Sequence, residues 1–207
     1  MIKFSIGGVP MQISFYTDYS AQDFSVKNNN LFPSAPDKCP FKDCHMPVRF
    51  KKHGYYSRFL ISKNFNGVIY IRRYICPVCG RTVSMLPMFC LQGFQYSGID
   101  IINILHEFYQ NRFSLKKLVE KLKTDFPLIE RRHLNYYRKR IIDNRKLIQY
   151  GLNLMSPEFI FAGTIPENQE WVKIFLDKVY TVHPHVFIVD FFNTTGKSFM
   201  TSQNMIA

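Results

Sequence analysis

Arg72-Arg73-Tyr74-Ile75-Cys76-Pro77-Val78-Cys79-Gly80-Arg81-Thr82 is a strand-like run that ends in a Cys-x2-Cys pair and a glycine. Thiolates at this separation are the ligand unit of tetrahedral soft-metal sites, because one tight turn brings both sulfurs to the same side. Gly80 suits such a knuckle, since the backbone there must turn so that its amides face the sulfurs. Upstream, Cys39-x4-Cys44 offers a second, longer pair. Between the pairs lie two strand-like runs, His53 to Ile61 and Val68 to Ile75, with Asn66-Gly67 between them. Asn-Gly tolerates positive φ at both central turn positions and favours a type I′ hairpin. The expected order is pair, strand, hairpin turn, strand, pair. Closing the hairpin gathers Cys39, Cys44, Cys76 and Cys79 into one site for a single structural Zn²⁺. His45 or His53 in place of one thiolate is the alternative ligand set. A small hairpin buries too little apolar surface to fold alone, and metal binding supplies on the order of 10 kcal/mol in comparable finger peptides.

Neither a charged, apolar leader at residues 1–15 nor a stretch of membrane-spanning length is seen, so a soluble chain of the cytoplasm, associated with the nucleoid, is expected. In a reducing compartment, five cysteines are read for metal before disulfides. Cys90 stands outside the pattern and reads as a small buried hydrophobe.

The formal charge is +12, and it is unevenly placed. Residues 38–90 hold ten Lys or Arg against the single acid Asp43, residues 97–150 hold twelve against six, and residues 151–207 hold three against five. Like charges gathered in one region make a focused positive field, which calls for an anionic partner.

After Ser97 the apolar period becomes helical. Ile101, Ile102, Leu105, Phe108 and Tyr109 form one stripe; Leu115, Leu118, Val119 and Leu122 a second behind Ser114 as N-cap; Leu134, Tyr137, Ile141 and Ile148 a third. Thr124 to Leu128, with Pro127, separates the second from the third. Three short helices with a break before a basic last one have the organisation of a helix-turn-helix unit. The basic helix, near Ile129 to Ile148, presents Arg131, Arg132, Asn135 and Tyr136 as candidate base or groove contacts. Arg138, Lys139, Arg145 and Lys146 are candidates for phosphates, as are Lys51, Lys52, Arg72, Arg73 and Arg81 of the hairpin.

The string from Cys39-Pro40 to Cys44, then Lys52-His53-Gly54, then the run from Arg72 to Thr82, resembles the N-terminal zinc ribbon of bacterial insertion-sequence transposases and their accessory proteins. A helix-turn-helix segment follows in those proteins too, and the resemblance spans residues 39–150. It implies binding of transposon-end duplex DNA, as the head of a transposase or as a separate accessory protein. The first knuckle is extended relative to that family, and the catalytic domain that usually follows has little room.

Residues 2–15 alternate around Gly7-Gly8 and suit a hairpin, and the turn-rich stretch up to Asp37 reads as a linker. Ser156-Pro157-Glu158 reads as a helix start. Trp171, Ile174, Phe175 and Val179 mark an amphipathic segment, whereas the run Val186 to Val189 suits a strand or a buried helix equally. Gly196-Lys197-Ser198 lacks the glycine a phosphate loop needs five residues earlier, where Phe191 stands. Asp190 has no acid after it to complete a two-metal site, and His183-Pro184-His185 reads as a turn.

The expected fold is α+β, a small multi-module chain with an N-terminal hairpin and linker (1–37), a β-hairpin zinc ribbon (38–90), a helical helix-turn-helix unit (97–150) and a mixed C-terminal segment (151–207). The expected partner is double-stranded DNA, with a transposase or a second copy of the chain beside it, and neither a membrane nor a nucleotide. No catalytic residue is assigned. The rival readings are the N-terminal part of an active DDE-type transposase and a zinc-ribbon regulator or protein-interaction module.

Overall fold

The computed structural model describes residues 11–111, 113–155 and 167–201. Among these, four strands, β1 (Met11–Phe15), β2 (Lys51–Ser62), β3 (Phe65–Ile75) and β4 (Thr82–Pro87), form one sheet in the order β1-β4-β3-β2. The helices are α1 (Gly98–Asn111), α2 (Leu115–Leu122), α3 (Arg131–Asp143), α4 (Arg145–Met155), α5 (Asn168–Thr181) and α6 (Pro184–Thr195). The fold is α+β.

The hairpin turn is not where Asn-Gly placed it. Ser62 pairs with Phe65, so the connection is Lys63-Asn64, and Asn66 and Gly67 stand inside the ladder opposite Ile61 and Leu60. Side-chain packing decides the register. Leu60, Ile69 and Ile71 are fully buried, and the Phe65 ring lies over Gly67, its Cζ 3.2 Å from where a Cβ would stand. The glycine is thus used for space rather than for a turn. This register also sets Ile75 opposite Lys51, which brings Cys76 to the hairpin base. A turn at Asn66-Gly67 would set Ile75 opposite Arg58 and carry Cys76 away from Cys39 and Cys44.

Of the N-terminal alternation, Ile2, Phe4 and Ile6 lie outside the described residues. Met11, Ile13 and Phe15 belong to β1, which runs parallel to β4 from Met11 beside Val83 to Phe15 beside Pro87. The stretch read as a linker is packed. Short 3-10 turns at Asp23–Ser25 and Asn29–Leu31 bury Phe24 and Leu31 among Leu60, Ile69, Ile71, Leu86 and Phe89. The Tyr16 hydroxyl donates to the Asp190 carboxylate on α6 at 2.6 Å.

The three helical stripes fold as expected up to Asp143. Ser114 caps α2, its Oγ accepting from the Lys117 N–H at 3.3 Å. The break before α3 runs from Lys123 to Glu130, longer than a turn of about three or four residues. Buried Phe126 and Ile129 anchor it. The helix expected to continue to Ile148 ends at Asn144. That side chain is buried, and its Nδ2 donates to the carbonyls of Phe199 at 3.0 Å and Thr201 at 2.9 Å. A tertiary partner from the chain end interrupts the helix, so Arg145 and Lys146 stand on α4. The segment around Trp171 is α5, and the run Val186 to Val189 lies in α6 behind His183, whose φ is 67°. The helix start expected at 156–158 lies outside the described residues. No helix among the described residues is long and apolar enough to cross a membrane.

The helical core gathers Ile101, Ile102, Leu105, Leu134, Ile141, Trp171, Phe175 and Phe191, together with Ile61 from β2. At Gly151 on α4 a Cβ would stand 2.3 Å from Phe191 Cε2 and 2.8 Å from Thr195 Cγ2. Both neighbours are side-chain atoms of α6, so either these side chains or the two helices must give way. Gly151→Ala is expected to destabilise the chain by about 1–3 kcal/mol, seen as a lower denaturation midpoint at unchanged slope.

Candidate metal centre

The cysteine pairs meet at the base of the β2–β3 hairpin. In the second knuckle the Cys76 N–H donates to the Arg81 carbonyl at 2.9 Å, and the Gly80 N–H, with φ at 70°, donates back to the Cys76 carbonyl at 3.0 Å. The first repeats the form with two extra residues. The His45 N–H donates to the Phe41 carbonyl at 2.8 Å, and the Cys39 N–H to the Met46 carbonyl at 2.9 Å. His45, with φ at 40°, holds the position that glycine holds in the second knuckle.

The four sulfurs all lie within 4.8 Å of one another, with Cys39 to Cys79 at 3.7 Å and Cys44 to Cys76 at 4.0 Å. Sulfurs arranged tetrahedrally about 2.3 Å from one ion stand about 3.8 Å apart, whereas a disulfide would bring two to about 2.05 Å. All four thiols are free. Distances and donor type both suit one soft ion, and the four cysteines could hold a metal. Neither His45 nor His53 joins the cluster found among the described residues. Cys39 and Cys76 are fully buried beside Phe50, Tyr74, Val83 and Met85, while Cys44 and Cys79 are half-buried. Cys90 sits buried in the separate cluster around Phe24 and Leu60.

Burial pushes the Cys39 thiol up to about 12. At Cys79 burial pushes the same way, but hydrogen bonds from the Arg81 side chain and backbone prevail and bring it down to about 6. Arg81 also donates to Asp43 Oδ1 at 2.5 Å and lies 4.0 Å above the Phe41 ring, so one guanidinium ties the two knuckles together. Asp43 and Phe41 were not singled out from the sequence. Asp43 is the single acid of residues 38–90, and that isolation beside a ligand cysteine was the available signal. Arg81→Met is expected to weaken metal affinity about 10- to 100-fold by competition against a chromophoric chelator, since the neighbour that orients a ligand is lost while all four thiols remain.

The other arginines expected at DNA divide by their partners. Arg72 is buried, with its guanidinium 4.9 Å from the Tyr55 ring and 5.5 Å from the Tyr74 ring, and Arg73 lies over Tyr56. Arg138 packs 4.6 Å from the Phe108 ring of α1, and Arg145 donates to Asn168 at 3.0 Å and covers Trp171 of α5. These side chains hold elements together. Arg131, Arg132, Asn135, Tyr136, Lys139 and Lys146 are exposed, as are Lys51 and Lys52 at the start of β2. Arg132 pairs with Glu130 at 2.9 Å and Lys139 with Asp143 at 3.3 Å, exposed contacts of little energetic weight.

Set against protein-family models, curated proteins and solved structures, the chain matches none of them.

Proposed function

We propose that the chain is a zinc-dependent DNA-binding protein of a mobile element, an accessory or truncated transposase without a catalytic centre of its own. In this reading the hairpin with its four cysteines is a zinc ribbon, and α1 to α3 are a helix-turn-helix unit with α3 as the recognition helix. The observation that carries the reading is the outer face of α3. Arg131, Asn135 and Lys139 follow one another at four-residue intervals, with Arg132 and Tyr136 beside them, all exposed, while Leu134, Tyr137 and Ile141 are buried behind. An exposed ridge of Arg and Asn along a helix suits the major groove, where these side chains make bidentate pairs with guanine and adenine. Lys146 adds exposed positive charge on α4, and Lys51 and Lys52 add it at the base of the hairpin, as candidates for phosphates. Zinc is favoured by a set of four thiolates whose spacing suits tetrahedral coordination. The mobile-element role rests on the resemblance of residues 39–150 to insertion-sequence proteins.

Selection from random duplexes, with and without a chelator, tests this function. An enriched motif that depends on Arg132 and Asn135 is expected, with binding lost when metal is removed. No enriched motif and no salt-sensitive binding would favour a protein-interaction module. Strand nicking by the chain with Mg²⁺ would favour a transposase.

A further inference from the structure

Tyr136 is the one large hydrophobic side chain of α3 that is left exposed, at 45%. It stands in the middle of the outer ridge, one turn after Arg132 and next to Asn135, with Lys139 following, all three exposed. Its ring is held from two sides. It leans on Phe94, a buried residue of the loop between β4 and α1, with centroids 5.7 Å apart, and on Tyr137 at 6.0 Å. From the next turn, Arg140 Nε donates to the phenol oxygen at 3.1 Å, and the guanidinium lies 5.3 Å from the ring centroid. The side chain is therefore ordered before any partner arrives, which lowers the entropy cost of a contact.

The same neighbours limit what that contact can be. With the ring resting on Phe94 and the oxygen occupied as an acceptor, Tyr136 offers a partner mainly ring carbon. The cations beside it, Arg132 and Lys139, suit a polyanion. In the major groove of duplex DNA the apolar feature on a base edge is the C5-methyl group of thymine, which adenine, guanine and cytosine lack.

We infer that Tyr136 reads a thymine, packing its ring carbons on the C5-methyl group within the motif set by Arg132 and Asn135. This rests on the DNA reading and adds to it the base and the atom recognised. Arg132 and Asn135 discriminate by hydrogen bonds, whereas Tyr136 discriminates by apolar burial. It therefore distinguishes thymine from uracil, which pair alike, and a contact to sugar or phosphate would not.

The test changes the DNA first. Each thymine of the selected duplex is replaced in turn by deoxyuridine, which removes the methyl group and keeps every hydrogen-bonding group. One position is expected to lose about fourfold in affinity, the worth of burying one methyl group. At that position Tyr136→Phe should still prefer thymine, because the ring still rests on Phe94, while Tyr136→Ala should bind both duplexes alike. With 5-iododeoxyuridine there, irradiation of the parent complex is expected to crosslink Tyr136, a result that requires no variant to fold. Unchanged affinity after every replacement would overturn the thymine contact and leave the DNA reading standing. A thymine preference that survives in Tyr136→Ala, or a crosslink to another residue in place of Tyr136, would do the same. Loss of the preference in Tyr136→Phe would give the contact to the hydroxyl and overturn the role of the ring. A parent that selects no motif at all would end the DNA reading and the thymine contact together.

Discussion

Cys76→Ser is expected to lose the bound metal entirely and to unfold the base of the hairpin. Cys76 closes β3, is fully buried, and makes both backbone hydrogen bonds that define the second knuckle. Without its sulfur the cluster keeps three thiolates and an oxygen that binds a soft ion poorly. Metal binding contributes about 10–16 kcal/mol in zinc-finger peptides, as much as the whole stability of a typical domain, about 5–15 kcal/mol. Metal analysis of the purified parent should give one zinc per chain, and Cys76→Ser none. Cys90→Ser supplies the control, since its sulfur is packed among Phe24, Leu60 and Ile71 away from the other four and should leave the zinc content unaltered. Equal zinc in the parent and Cys76→Ser would end the four-thiolate site, and so would an ordered hairpin in metal-free protein.

The second large effect concerns salt. If Lys139, Lys146, Lys51 and Lys52 each neutralise one phosphate, the logarithm of affinity should fall by about 3.6 per decade of salt. From 50 to 200 mM salt that is about 150-fold. Lys139→Ala or Lys146→Ala should weaken binding to all sequences alike and flatten the slope by about one, whereas Arg132→Ala or Asn135→Ala should cost about 1–3 kcal/mol mainly at the preferred site. Arg72→Gln should leave the slope unchanged, because its guanidinium is held between Tyr55 and Tyr74. A slope near zero would move the function toward protein docking.

The sequence carried the cysteine cluster because ligand spacing is a local code, and the helical stripes because burial repeats at the helical period. It misplaced the hairpin turn because Asn66-Gly67 satisfies a turn and a close contact equally, and only the position of Phe65 and the needs of Cys76 choose between them. It missed the break at Asn144 for a different reason, since the carbonyls of Phe199 and Thr201 that end the helix are far away in the chain. Charge was the least informative signal. Arg72, Arg138 and Lys139 look alike in sequence, yet two lie against aromatic rings and only the third projects from the exposed ridge.

The parallel pairing of β1 with β4 has a consequence for the birth of the molecule. Met11 to Phe15 leave the ribosome before the other described strands, but the edge that receives them is made of Val83 to Pro87, and the clasp from Tyr16 waits longer still, for Asp190. Meanwhile β2 and β3, joined by two residues, can close on a microsecond scale once Ile75 has been released. Pairing across so long a stretch of chain carries a loop-closure cost that local hairpins do not. Of the four described strands, the one synthesised first is therefore seated among the last, and until then Met11, Ile13 and Phe15 are exposed to whatever else the cell contains.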